Sequence, residues 1–153
     1  MLDIFYNFPL IAALISILLA QLVKIPVFFI TKRTWNLRRA VSTGGMPSSH
    51  SAAVSSLTAA VGITEGLSSS AFAIAVVLSA ITMFDAAGIR RHAGIHASLI
   101  NRIVLAEIAS QQEGYEGYTH KALNELLGHR PIEVFVGALF GIVVSILLYL
   151  LFY

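Results

Sequence analysis

The chain contains no cysteine. That excludes a disulfide framework, a thiolate nucleophile and a cysteine-ligated zinc site, and it leaves the redox compartment unreadable. Charge is scarce too. Only 12% of the 153 residues are Asp, Glu, Lys or Arg, where a soluble domain carries about twice that fraction. A formal net charge of +2 gives no basic surface suited to nucleic acid, and no motif of a nucleic-acid module is present. The first apolar stretch has no basic run before it and no small-residue cleavage site after it. It is expected to be a retained anchor, not a signal peptide. Internal repeats and low-complexity tracts are absent as well.

Apolar residues make up 57% of the chain, which points to an integral membrane protein. A spanning helix needs roughly 20 predominantly apolar residues. Four segments meet or approach this: Pro9 to Ile30, Pro47 to Ile63, Ser70 to Ile89, and Pro131 to Phe152. The second is made largely of Ala, Ser, Val and Thr. It is too polar to face lipid all round and belongs in the centre of the bundle, where small side chains let helices approach. The fourth carries Gly137-x-x-x-Gly141, a close-packing pattern that is common by chance in membrane helices. Between the third and fourth spans, Ile95, Leu99, Ile103, Val104 and Ile108 recur at helical spacing. Gly94 to Ser110 is therefore read as an amphipathic interfacial helix, followed by a turn over Gln111 to Thr119 and a short helix over Lys121 to Leu127. The fold expected is all-α: a polytopic membrane helix bundle with about four transmembrane helices plus interfacial helices, forming one domain over residues 1–153.

The basic residues cluster in two links. Lys32, Arg33, Arg38 and Arg39 lie in the first, and Arg90, Arg91, Arg102, Lys121 and Arg130 in or beside the third. With four spans, these links share one side, and the positive-inside rule makes that side cytoplasmic.

Polar residues at the mouths of spans mark the candidate site. His129 and Glu133 are four apart, on one face of the fourth span, with Pro131 suited to its first turn. A carboxylate there can bond one imidazole nitrogen and leave the other nucleophilic. The plainer reading is an interfacial histidine beside a glutamate that suits the helix dipole. His50 sits in the first turn of the second span, after Gly44-Gly45-Met46-Pro47-Ser48-Ser49. Unpaired helix-start N–H groups, the Ser48 and Ser49 hydroxyls and close-approach glycines suit an anion; the plainer reading is a serine N-cap in a glycine turn. Lys24 lies inside the first span, where an ionisable group is by default a functional hypothesis, although it is near enough to the end to snorkel. Asp85 either orients an arginine or a histidine, or forms a structural pair with Arg90 or Arg91. His92 and His96 read as interfacial and His120 as a loop residue. The histidine spacing and the few carboxylates do not make a metal site, and no cofactor is implied.

These residues carry a resemblance. Pro47-Ser48-Ser49-His50 is similar to the Pro-Ser-Gly-His signature of the phosphatidic acid phosphatase type 2 and vanadium-dependent haloperoxidase superfamily. His129-Arg130-Pro131-Ile132-Glu133 resembles its His-x-x-x-Asp signature, with Glu133 in place of Asp. Lys32 and Arg39 have the Lys-x6-Arg spacing of its first signature, although Ala40 replaces the usual proline. The Gly-Gly-Met-Pro-Ser-Ser-His form and the Asp85 to Arg91 run resemble the small, divergent bacterial branch. The family arginine six residues before the second histidine would fall on Leu123 here, so Arg90 or Arg91 would have to supply that charge. Lys24 is an alternative spatial equivalent of the family lysine.

The resemblance implies a metal-independent phosphatase acting on a lipid phosphate monoester. His129 would be the nucleophile, Glu133 its orienting carboxylate and His50 the acid and base. Lys24, Lys32, Arg39, Ser48, Ser49, Arg90 and Arg91 are the candidates to hold phosphate, with Asp85 orienting one of the bases. Hydrolysis and phosphotransfer to another acceptor remain alternatives. A second class of function also fits: a non-catalytic protein that binds or transports an anionic lipid. The family's larger helical core implies missing neighbours: either the segment Gly94 to Ser110 fills the gap within one chain, or a second subunit does so in a homodimer with Gly137 and Gly141 as a contact surface.

Overall fold

The computed structural model describes residues 6–32, 45–110, 122–123 and 128–152. Five helices follow one another: α1 (Phe8–Lys32), α2 (Ser49–Glu65), α3 (Ser70–Ala87), α4 (Ile89–Ser110) and α5 (Pro131–Phe152). The described residues contain no strand, and the protein is an all-α membrane helix bundle. The helices α1 and α5, and the stretch Ser70–Glu107 that joins α3 to α4, are long and apolar enough to cross a membrane. Large apolar side chains such as Leu14, Leu18, Ile81, Leu147 and Leu150 are exposed on their outer faces, as lipid contact requires.

The central element is α2. It packs against α1, α3 and α5, and its buried residues are nearly all small: Ser49, Ser51, Ala52, Ser55, Ser56, Ala60 and Val61. At 17 residues it is about 25 Å long at 1.5 Å per residue, near the lower limit for a span. Several of its hydroxyls bond within the bundle, while the buried Ser56 Oγ has no partner. The Ser55 hydroxyl donates to Ser51 O at 2.6 Å and Thr58 to Val54 O at 2.8 Å. Ser79 of α3 donates to Val54 O at 2.9 Å and lies 2.7 Å from Thr58 Oγ1.

The helix directions follow from named contacts. A Cβ placed on Gly137 would strike Ser48, and one on Gly141 would strike the Ala52 backbone. Equal steps of four on both chains make α2 and α5 parallel and in close contact. Phe8 and Ala12 of α1 meet Ala60 near the end of α2, and Phe8 stacks edge-on against Tyr149 at 5.6 Å, so α1 runs antiparallel to both. Ser79 bonded to Val54, with Phe72 lying beside Gly62, makes α3 antiparallel to α2. One end of the bundle therefore gathers the starts of α2 and α5 with the later turns of α1 and α3.

Two expectations change in detail. The Gly137–Gly141 surface expected to serve a dimer is filled by α2 of the same chain, so it gives no support to a homodimer. The amphipathic helix starts earlier than Gly94, at Ile89, directly after a break at Gly88 whose N–H closes on Phe84 O at 2.8 Å. Arg90, Arg91 and His92 are therefore helical. The segments over Gln111 to Thr119 and Lys121 to Leu127 lie outside the described residues except for positions 122–123.

Gly141→Ala is expected to lower stability by about 1–3 kcal/mol through overpacking against the Ala52 backbone, whereas Leu150→Ala on the lipid face changes it little. Thermal unfolding of both variants in one detergent checks this ranking.

Candidate active site

His129 is built into the junction between α3 and α5. Its N–H donates to Ala86 O at 3.0 Å. The preceding Gly128 has φ +82, and a Cβ there would collide with the backbone at Arg90 and Arg91, so glycine alone fits without strain. The imidazole is 3% exposed. Its Nδ1 lies 3.0 Å from Glu133 Oε2, and the Arg130 N–H donates to that same oxygen at 3.2 Å. A carboxylate only accepts, so Nδ1 carries a proton, and in the neutral ring Nε2 carries the lone pair. Nε2 is buried and has no hydrogen-bond partner. A buried polar atom without a partner is costly, and at the mouth of a cluster of cations it is the natural point of contact for a ligand.

The start of α2 is fixed to the same layer. Ser48 is its N-cap: its side chain accepts from Ser51 N–H at 3.4 Å and from the Ser51 hydroxyl at 3.0 Å. Ser48 N–H donates to Glu133 O at 3.0 Å, which ties the loop before α2 to the first turn of α5. Gly45 has φ +93 and the Met46–Pro47 peptide is cis. Pro47, Ser48 and Ser49 are buried, and His50 is exposed. Two helix N-termini, each carrying roughly half a positive charge, are thus held side by side.

Electrostatic interactions connect the rest. His50 interacts with Arg90, His129, Lys24 and Asp85, and Lys24, buried within α1, interacts with Glu133. Asp85 forms an ion pair with Arg90 at 2.6 Å while both stay partly exposed. Arg91 follows on the exposed surface at the α3–α4 bend. His50, His129, Glu133, Asp85, Lys24 and Arg90 therefore share one end of the bundle, drawn from four helices and the α5 entry. In formal charge Lys24 and Arg90 balance Glu133 and Asp85, and the neighbouring Arg91 and Arg130 add positive charge. The side chain of Lys32, at the end of α1, and the whole of Arg39 lie outside the described residues.

Leu123 stands where the family resemblance expects an arginine. Its backbone proves to be clamped by Asn101 of α4. The Asn101 amide donates to Leu123 O at 3.0 Å and its oxygen accepts from Leu123 N–H at 2.9 Å. Asn101 is 4% exposed and follows Gly94 and Ala97 on a buried stripe. A lone asparagine in line with small residues was the available signal.

The family model described as the Divergent PAP2 family matches residues 5–144. The chain belongs to that family. A relative bearing the name "Uncharacterized membrane protein YuiD", from Bacillus subtilis (strain 168), is 45% identical over 152 residues, covering 95% of this chain and 96% of the relative. No solved structure matches. Membership of the divergent PAP2 family agrees with the two histidine motifs on which the resemblance was read, and the protein is a PAP2-like membrane protein.

Ser48→Ala is expected to remove the α2 cap at a cost of about 1 kcal/mol, and Gly128→Ala to cost more by forcing the His129 entry away from α3. Chemical or thermal unfolding in detergent ranks the two; equal stability of Gly128→Ala and the parent would contradict the described junction.

Proposed function

We propose that this divergent PAP2 protein is a membrane phosphatase that hydrolyses a lipid phosphate monoester through a phosphohistidine. The observation that carries the reading is His129: a buried imidazole with Nδ1 held by Glu133 and Nε2 left without a partner. Nε2 attacks phosphorus, forming a P–N bond as the bond to the leaving alkoxide oxygen breaks. Protonated His50 gives its proton to that oxygen. Neutral His50 then takes a proton from water as the water attacks phosphorus, and the P–N bond breaks to release inorganic phosphate.

Charge stabilisation is the second support. The phosphoryl oxygens gain negative charge in transit, and fixed positive groups in a site screened from water stabilise it most. Lys24, Arg90 and Arg91 supply cations, and the starts of α2 and α5 supply backbone dipoles. Asp85 aligns Arg90 through their ion pair. Glu133 fixes the His129 ring and stabilises its cation. Ser48 fixes where α2 begins, and Ser49 remains a candidate donor. Lys32 and Arg39 remain candidates by their sequence spacing alone. No step requires a metal.

The head group and tail are open among phosphatidate, phosphatidylglycerophosphate and polyprenyl phosphates, and release from each by purified protein in detergent is the direct screen. His129→Ala is expected to abolish release while the protein stays folded. Glu133→Gln retains a fraction, about 1% within a factor of ten, because the nucleophile survives without its orienting group. The pH profile is bell-shaped, since one histidine must be neutral and the other protonated. Binding of lipid phosphate with no release from any of the three would instead favour the non-catalytic lipid-binding class.

The site is proposed to face the cytoplasm, because the basic residues gather at its end of the bundle. Single cysteines at Leu123, on the site side, and Ser68, in the opposite turn, decide it. A membrane-impermeant thiol reagent applied outside the cell is expected to label Ser68→Cys and spare Leu123→Cys; the reverse pattern inverts the topology.

A further inference from the structure

A groove of about 360 Å³ opens between α3 and α5 with α2 as its floor. Val76, Ala80 and Met83 form one wall, Ala138 and Ile142 the other, and Ala59 lies on the floor beside Ser55 and Thr58. The volume falls within the range of small-molecule sites. α3 and α5 scarcely touch each other, so each rests on α2 and the space between them stays open at the side.

The floor is serine- and threonine-rich in sequence, yet it presents almost no polar surface. Ser55 donates to Ser51 O, and the Thr58 and Ser79 hydroxyls are engaged with each other and with Val54 O. With these hydroxyls occupied, what faces the groove is carbon. A polar ligand would find nothing to bond there, and a hydrocarbon chain would.

The groove is also in register with the catalytic end. Ser55 lies five residues beyond His50, and Ala138 five beyond Glu133, on two parallel helices. At 1.5 Å per residue the floor begins about 7.5 Å below His50 and the α5 wall about 7.5 Å below Glu133. Met83 reaches within two residues of Asp85 on the third side. The whole depression lies within helices that sit in the membrane.

We propose that this groove holds one hydrocarbon chain of the lipid phosphate while its head group occupies the site at His129, and that the substrate enters sideways from the bilayer between α3 and α5. The inference rests on the proposed function and names the part of the substrate that the fold selects. Ala80 and Ala138, small and facing each other across the opening, set the width of chain admitted.

The test reads binding, so it does not depend on turnover. A phosphatidate analogue with a diazirine part-way along one acyl chain is photolysed with the full-length protein in phosphatidylcholine vesicles, and adducts are mapped by mass spectrometry. Labelling of Val76, Met83 or Ile142 is expected to exceed that of the outward Leu14 and Leu18 of α1 by about ten-fold, and to fall by a similar factor in Ala80→Phe or, on the other wall, Ala138→Phe. A diacylglycerol analogue with the same chain, lacking the phosphate anchor, labels the groove more weakly. Equal labelling of the groove and the outer face of α1, equal labelling by diacylglycerol, or labelling unaffected by both substitutions overturns the proposal. Selective groove labelling by a protein that releases no phosphate would leave the groove standing and remove the phosphatase reading.

Discussion

The parallel contact of α2 with α5 is the constraint on which everything else rests. Gly137 and Gly141 let the α5 backbone lie against Ser48 and Ala52, closer than any side chain would permit. Between apolar helices in lipid, such proximity is stabilised by dispersion and short polar contacts, since lipid tails are as apolar as the side chains they replace. The consequence is positional. Two helices that run parallel at backbone contact must begin in the same layer, and the Ser48 N–H to Glu133 O bond fixes that layer. His50 and His129, distant in sequence, become parts of one site because their helices start together.

From this follows a division of the molecule along its length. At one end, helix starts, cations and two imidazoles collect around the unpartnered Nε2 of His129. Below it, the Ser55, Thr58 and Thr64 hydroxyls turn back on helix carbonyls, so much of a polar sequence presents carbon outward. The break at Gly88 separates the two regimes. It ends the apolar α3 and starts α4 at the level where Arg90 can pair with Asp85 and the backbone at Arg91 can meet Gly128.

Much of this was legible in the sequence, for identifiable reasons. The limits of α5 and of the Glu65 to Ser69 turn are marked by Pro131 and by a glycine and a serine cap, and the small-residue composition of α2 announced its central place. The His129–Glu133 pair was legible because four residues on a helix is a contact distance. What escaped was tertiary. Gly137 and Gly141 show that some helix must approach, but not which one, and a partner chain was as consistent as α2. Asp85 is followed in sequence by two adjacent arginines, and only the bend at Gly88 selects Arg90. Asn101 could not be linked to Leu123 because nothing local signals a side chain that bonds the backbone of a remote segment.

The central claim is that Nε2 of His129 takes the phosphoryl group, and trapping the intermediate tests it most directly. The full-length protein is mixed with a lipid phosphate that it turns over, quenched in alkali within the first turnover, digested and sequenced by mass spectrometry. The account predicts an alkali-stable, acid-labile phosphate on His129, absent from the His129→Ala protein. Phosphate release with an unmodified His129, or a phosphoryl group carried on another residue, would contradict it.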